Sequence, residues 1–343
     1  MSGAVVLRAG RVSVRLSRRA LAVHALAAVV LVCCLSAALS LGSRPLSPAE
    51  VLAALGPDAR GPDRMVVVEW RAPRAVAAAL FGACLGLSGG LIQSLTRNPL
   101  GSPDVIGFNT GAFTGVVCVM LLGGTGFAVL AGGAVLGGLG TAALVYVLAL
   151  RRGMRGFRLI VVGIAVSAML GSVNTWFSVK ADLDVALRAA VWGAGTLNGT
   201  SWPPVAACAV AAAALLLTMP VLVPRMRQLE LGDDTASMSG VPVERTKALM
   251  MVAGVGLTSV VTAVTGPIAF VALAAPQIAR RLTGRGGAVD PVGAALVGAV
   301  LLSLADLVAQ HALPDTALPV GAVTVCLGGG YLVWLLVRES GRS

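Results

Sequence analysis

The 343-residue chain has a mean hydropathy of +0.89, is 57% hydrophobic and only 12% charged, so it lacks the charged shell that a water-soluble globule of this size needs. Its formal net charge of +11 would suit a nucleic-acid surface, but aromatic residues are 4% and the basic residues are scattered between apolar runs, which fits membrane topology instead. Six cysteines, Cys33, Cys34, Cys84, Cys118, Cys208 and Cys326, all lie inside apolar runs without metal-like spacing and read as packing residues.

Residues 1–19 form an N-terminal segment with Arg8, Arg11, Arg15, Arg18 and Arg19, followed by the apolar run Ala20–Leu41. A cleavable signal peptide is the competing reading. The run is longer than a signal h-region, is long enough to span a bilayer and has no clear small-residue cleavage site, so an uncleaved first helix is expected. Gly42–Trp70 is polar and Pro-rich, and Ser47-Pro48-Ala49-Glu50 marks the start of a short surface helix.

Arg71-Ala72-Pro73-Arg74 then leads into the run Ala75–Leu95, with Pro73 suited to open a helix at an aqueous boundary. Gly82, Gly86 and Gly90 recur at four-residue spacing on one helix face, which lets a second helix approach closely. The stretch Arg97-Asn98-Pro99-Leu100-Gly101-Ser102-Pro103-Asp104 stops that helix and reads as a fresh N-terminus, with Ser102 as cap and Pro103 in the first turn. Further runs of spanning length follow at Val105–Leu122, Thr125–Leu150, Leu159–Val179, Val205–Val223, Ala248–Val264, Ile268–Leu282, Val292–Val308 and Val320–Val337. The expectation is an all-α, polytopic membrane protein of about ten spans, a single domain over 1–343 with its helical bundle at 20–338. Ile268–Leu282 is short and contains Pro276, so it is the span expected to be broken, tilted or extended by its neighbours.

Counting Lys and Arg in alternate loops places 19 on the side of the N-terminus and seven on the other. Both termini are therefore expected in the cytoplasm, with the chain crossing the cytoplasmic (inner) membrane many times.

No G-x-x-x-x-G-K-[ST] pattern occurs, so the chain is not itself an ATPase. His24 and His311 stand alone, no metal site is expected, and no nucleophile or acid–base constellation stands out. Segment 225–247 has Asp233 or Asp234 as a helix cap before a short Thr235–Ser239 turn that Gly240 closes. This reads either as a small rigid knob or as a solvated loop. Asp306 reads first as a helix-end polar residue satisfied by neighbours, and alternatively as a functional intramembrane charge. Asn109, Thr110, Asn174 and Trp176 line a polar path or make interhelical hydrogen bonds. Arg71 and Arg74 anchor at headgroups or receive acidic side chains of a partner.

Several motifs, in order, carry a family resemblance. They are R-x-P-R at 71–74, a small-residue helix reaching Gln93, R-N-P-L-x-x-P-D-x-x-G at 97–107, Gly266-Pro267-Ile268-Ala269-Phe270-Val271 through Pro276-Gln277-Ile278-Ala279-Arg280, Ala305-Asp306, and Leu318-Pro319-Val320-Gly321. Over roughly residues 20–338 the chain resembles permease subunits of bacterial ABC importers for ferric siderophores, haem and cobalamin, of the FecCD-like iron-siderophore type. The resemblance implies an inverted-repeat permease fold and a separate ATPase dimer that holds ATP and Mg, with no cofactor on this chain. It also implies an extracytoplasmic substrate-binding protein and a second permease, expected to be related but not identical. ATPase coupling is expected at Leu231, Gly232, Asp233, Asp234, Thr235, Ser239, Gly240, Val241 and Val243, and binding-protein docking at Arg71 and Arg74. Ferric siderophore is the expected cargo; cobalamin or haem import is the alternative within the family, and an ion-coupled secondary transporter the alternative outside it. The family's common Pro-His is Pro276-Gln277 here, and its Asp-His-Arg segment is replaced by Gly284–Asp290.

Overall fold

The computed structural model describes residues 4–9, 12–57, 59–150, 156–284, 289–313 and 316–340. A short antiparallel pair, β1 (Ala4–Ala9) and β2 (Val12–Ser17), precedes a helical body. Ser17 then caps α1 (Arg18–Ser40), its Oγ accepting the Ala20 N–H at 3.1 Å. Helix α2 (Pro48–Ala54) opens in a capping box, with Ser47 and Glu50 each accepting the other's backbone N–H.

Helix α3 (Pro62–Arg64) passes through a π-helical stretch, Met65–Arg71, into α4 (Ala72–Thr96). Pro73 has no N–H for the Glu69 carbonyl, and the Ala72 N–H reaches back to Val67, which widens the turn. The helix therefore continues back past Pro73 instead of opening there. Arg97, at φ 50°, ends α4 in the left-handed region. The chain continues without helix to Gly107, at φ 89°, and only then enters α5 (Phe108–Leu121). Ser102 caps a local turn, accepting the Val105 N–H at 3.4 Å, and not the helix expected at that point, because the positive φ of Gly107 redirects the chain first.

The remaining helices are α6 (Phe127–Leu150), α7 (Gly156–Lys180), α8 (Leu183–Gly193), α9 (Trp202–Leu216), α10 (Met219–Leu229), α11 (Asp233–Met238), α12 (Val243–Thr265), α13 (Val271–Thr283), α14 (Pro291–His311) and α15 (Val320–Ser340). Each of the ten apolar runs is thus helical. Among the described residues, six helices are long and apolar enough to cross a membrane alone, and α9 with α10 makes a seventh as a pair bent by 52°. The figure of ten spans is approximate because α5 and α13, with 14 and 13 residues, reach only about 20 Å at 1.5 Å per residue, against a hydrocarbon core of about 30 Å. Arg11, Arg151, Arg152, Arg155, Arg285 and Arg342, which contribute to the charge count, lie outside the described residues, as do residues 285–288 of the departing Gly284–Asp290 segment.

Contacts define two ends of the bundle. At the near end, where α1 begins, Arg19 Nε donates to the Leu282 carbonyl at 2.7 Å, which brings in the last turn of α13. At the far end, Arg71 Nη1 donates at 2.7 Å to the Leu39 carbonyl, closing α1. Helix α4 is the axis, buried along most of its length and packed on α12, α13 and α14. A Cβ on Gly82 would overlap the Gly298 carbonyl, one on Gly86 the Ala294 carbonyl, and one on Gly89 the Ala272 carbonyl. Small residues let these backbones touch, the main attractive term between helices when lipid is as apolar as the side chains. Gly90 is buried at the same seam but meets side chains and no backbone, Val289 at 3.0 Å and Ala294 and Pro276 at 3.9 Å.

Candidate functional site

At the near end, segment 225–247 folds as α10, α11 and the start of α12. Gly232, at φ 117°, occupies the cap, so Asp233 and Asp234 fall in the first turn of α11. Gly240, at φ 81°, closes the helix, and the Val241 N–H returns to the Ala236 carbonyl at 3.0 Å. Asp233 turns inward. One carboxylate oxygen accepts from Lys247 Nζ at 2.6 Å, and the other from Arg97 Nη2, which also reaches the Leu229 carbonyl at 2.9 Å. Burial pulls the Asp233 pKa up, but Lys247, only 5% exposed, and then Arg97 outweigh it and hold the carboxyl below its ordinary 3.8.

Glu230 makes a parallel tie, accepting the Val289 N–H at 3.1 Å and the Ser94 hydroxyl at 3.4 Å, with burial raising its pKa above the ordinary 4.5. The knob is thereby fixed to α4, α12 and the chain entering α14. Its outer surface presents Leu231, 72% exposed, and Met238, 89% exposed, beside exposed Asp234, Thr235 and Ser239; Val241 is buried and Val243 partly so.

The two signature stretches meet nearby. Gln277 Nε2 donates to the Pro99 carbonyl at 2.5 Å, and Gln93 Nε2 to the Leu273 carbonyl at 2.9 Å. Asn98 Oδ1 accepts the Leu100 N–H at 2.8 Å, which fixes the turn. Pro103 is buried in the same stretch. Pro276 sits inside α13 and not in a turn, so the second-half counterpart of the break at 97–107 is the non-helical Gly266–Phe270. His24, which stands alone in the sequence, lies 2.8 Å from Asp290 at the head of α14.

At the far end, Arg71 and Arg74 are both engaged within the chain. Arg71 donates to the carbonyls of Leu39, Ser40 and Arg44. Arg74 grips Asp306 through Nε at 3.0 Å and Nη2 at 2.8 Å, and Gln310 Nε2 adds a bond to the same carboxylate at 2.7 Å. Asp306 is 2% exposed. Sequence reading listed Arg74 and Asp306 separately because 232 residues part them. Exposed Arg60 and Arg64 border a neighbouring groove of about 360 Å³.

The two non-helical breaks, 97–107 and 266–270, meet at Asp104 and Phe270. Asn109 Nδ2 donates to Asp104 Oδ1 at 2.5 Å, and the Phe270 N–H lies against the same carboxylate. An open groove of about 540 Å³ lies beside them between α5, α7 and the end of α8, lined by Asn109, Thr110 and Asn174 among others. Asn174 Nδ2 reaches the Thr110 carbonyl at 3.4 Å. Trp176 is exposed on the outside of α7, against Phe177, and Asp306 lies away at the Arg74 pair, so neither joins this groove. Among the described residues no group of three His, Cys, Asp or Glu side chains is placed to hold a metal ion.

Apolar helices packed on a glycine seam, two non-helical breaks that meet at Asp104 and Phe270, and a rigid knob tied to several helices define an integral membrane permease. The chain belongs to the FecCD transport family, whose model matches residues 28–338. It is 51% identical over 304 residues to the ferric enterobactin transport system permease protein FepG of Escherichia coli (strain K12), covering 88% of this chain and 91% of that protein. It is 34% identical over 344 residues to the achromobactin transport system permease protein CbrC of Dickeya dadantii (strain 3937), covering 99% and 98%. The fold matches a solved chain described as a metal-chelate type ABC transporter in an inward-facing conformation, with a TM-score of 0.82 at 24% identity over 92% of this chain and 99% of that one.

Proposed function

We propose that this permease forms one half of the membrane pathway of an ATP-driven importer for a ferric siderophore of the catecholate type. The cargo reading is carried by the 51% identity to the ferric enterobactin permease across 88% of the chain. The near end is cytoplasmic, as the excess of Lys and Arg on the N-terminal side supports. There the knob around α11 seats Leu231 and Met238 in a partner ATPase dimer, which binds ATP and Mg. Its movements pass through Asp233 and Glu230 to α4, α12 and α14. A second, related permease completes the pathway, and an extracytoplasmic binding protein delivers the cargo at the far end. An acidic side chain on that protein reaches Arg74 only by sharing it with Asp306, and exposed Arg60 and Arg64 extend the basic surface.

The test is uptake of radiolabelled iron, supplied as several ferric siderophores, in cells without this chain and in cells with it restored. Loss confined to catecholate complexes is the expected result. Normal uptake of every iron complex, with no redundant importer present, overturns the cargo. Loss of cobalamin uptake instead would assign the alternative represented by the vitamin B12 permease BtuC of Salmonella schwarzengrund (strain CVM19633), to which the chain is 31% identical over 315 residues.

A further inference from the structure

We infer that the groove between α5, α7 and the end of α8 is a contact station for the hydrogen-bond-donating, aryl-bearing face of the organic chelator, and not for its anionic iron-ligating oxygens. This rests on the import reading above. The orientation of both asparagine amides is dictated by their partners. Asn174 turns its NH₂ to the Thr110 carbonyl, a group that can only accept, and Asn109 turns its NH₂ to the Asp104 carboxyl. That leaves both Oδ1 atoms as acceptors, buried and without a partner among the described residues; Asn174 is 7% exposed. Other buried side-chain atoms share that state, and what sets these two apart is that both side chains line one groove.

The walls agree with that chemistry. Phe113 lines the groove, with the Trp192 ring centroid 6.3 Å from its own, an apolar and aromatic surface suited to an aryl group. Gly193 permits this: a Cβ there would come within 2.7 Å of the Phe113 ring and push α8 away. Among the described residues no Lys, Arg or His lines the groove, and the Asp104 carboxyl stands behind Asn109. A surface of acceptors without a cationic side chain among its described residues gives bare anionic oxygens no partner and favours amide N–H or hydroxyl donors. Both orphan oxygens are shielded beneath the groove surface, so they engage when α5 and α7 part during transport, and hold cargo only transiently.

The experiment uses the complete importer in proteoliposomes, fed with saturating loaded binding protein so that the binding protein's own preference drops out. Two ferric tricatecholates of equal charge are compared, one with free amide N–H groups and one with the same amides N-methylated. The wild type is expected to move the N–H complex about 3–10-fold faster, the worth of one or two hydrogen bonds. Asn174→Leu is expected to bring the ratio close to one. A wild-type ratio of one overturns the inference without any variant, and so does an unchanged ratio in a folded Asn174→Leu. If the wild type moves neither ferric complex, the cargo reading itself has failed, a separate outcome from a ratio of one.

Discussion

Replacing Gly86 by Ala tests the packing argument most directly. A Cβ at that position would overlap the Ala294 carbonyl of α14, far inside the 3.0 Å that real Cβ atoms essentially never breach, and the atom it meets is backbone, which cannot swing aside. The helices must separate by roughly 1 Å, and a gap of that size forfeits a quarter to a half of each dispersion contact along the seam. Overpacking of this kind costs about 3 kcal/mol at the upper end of its usual range, while Ala restores about 1 kcal/mol of helix propensity. The net loss is about 2 kcal/mol. Gly140→Ala is the internal control, because nothing lies within 4 Å of a Cβ there and only the propensity gain remains. At about 2 °C per kcal/mol for a chain of this size, the two variants should differ by about 6 °C in apparent melting midpoint in detergent, with opposite signs relative to wild type. Fluorescence-detected size exclusion after graded heating measures both. Equal midpoints for Gly86→Ala and Gly140→Ala would refute the claim that close backbone approach holds α4 to α14.

Three further outcomes follow from the ties at the two ends. Arg74→Ala leaves the buried Asp306 carboxylate with Gln310 alone and should destabilise by about 3–5 kcal/mol, with the Arg74→Gln/Asp306→Asn pair recovering much of it; additive single effects in a double-mutant cycle would disprove the coupling. Leu231→Ser with Met238→Ser should leave the fold and melting midpoint intact but weaken capture of the purified ATPase at least tenfold, about 1.4 kcal/mol, and unchanged capture would remove these side chains from the contact. On acidification, Glu230 takes up its proton first, above 4.5, and native stability rises slightly there because its folded pKa is raised; Asp233, whose folded pKa is depressed, contributes stability above 3.8 that is lost as pH falls through its lower value. Melting midpoints against pH check this, and Glu230→Gln should abolish the first rise while leaving the second fall.

Helix positions were legible because lipid-compatible runs are long and uninterrupted, and the glycine spacing at 82 and 86 marked the true seam. A third close backbone contact falls at Gly89, against α13, while Gly90 packs on side chains, because four-residue periodicity cannot show a change of partner. Paired residues were not legible. Arg74 and Asp306, Glu230 and Val289, and Gln277 and Pro99 lie far apart in sequence, and nothing local distinguishes a latched arginine from a docking one. Asp233 shows the same limit: its position before an apolar turn fits a helix cap, but Gly232 can take the positive φ of the cap, which frees the carboxylate to bind Lys247 and Arg97. Asn109, Thr110 and Asn174 were found as polar letters in apolar runs, and the fold places them on one groove.

The two breaks also decide how far a displacement at the knob can travel. Non-helical backbone inside a membrane survives only where protein covers it, and here each break is covered. Gly107 sits against Ser167 and Thr141, the Gly266 carbonyl accepts from Thr265 Oγ1 at 2.8 Å, and Asp104 meets the Phe270 N–H. An unbroken helix in place of residues 97–107 would carry a push from Arg97 straight to the opposite surface. Because α5 starts only at Phe108, the push on Arg97 from Asp233 is delivered first to the turn at 98–104, and Asp104 there touches the break that enters from the far side. The tie at Arg97 is thus joined through the turn at 98–104 to the second break, beside the Asn109–Asn174 groove, while Arg71 and Arg74 hold α1, α4 and α14 together at the far end.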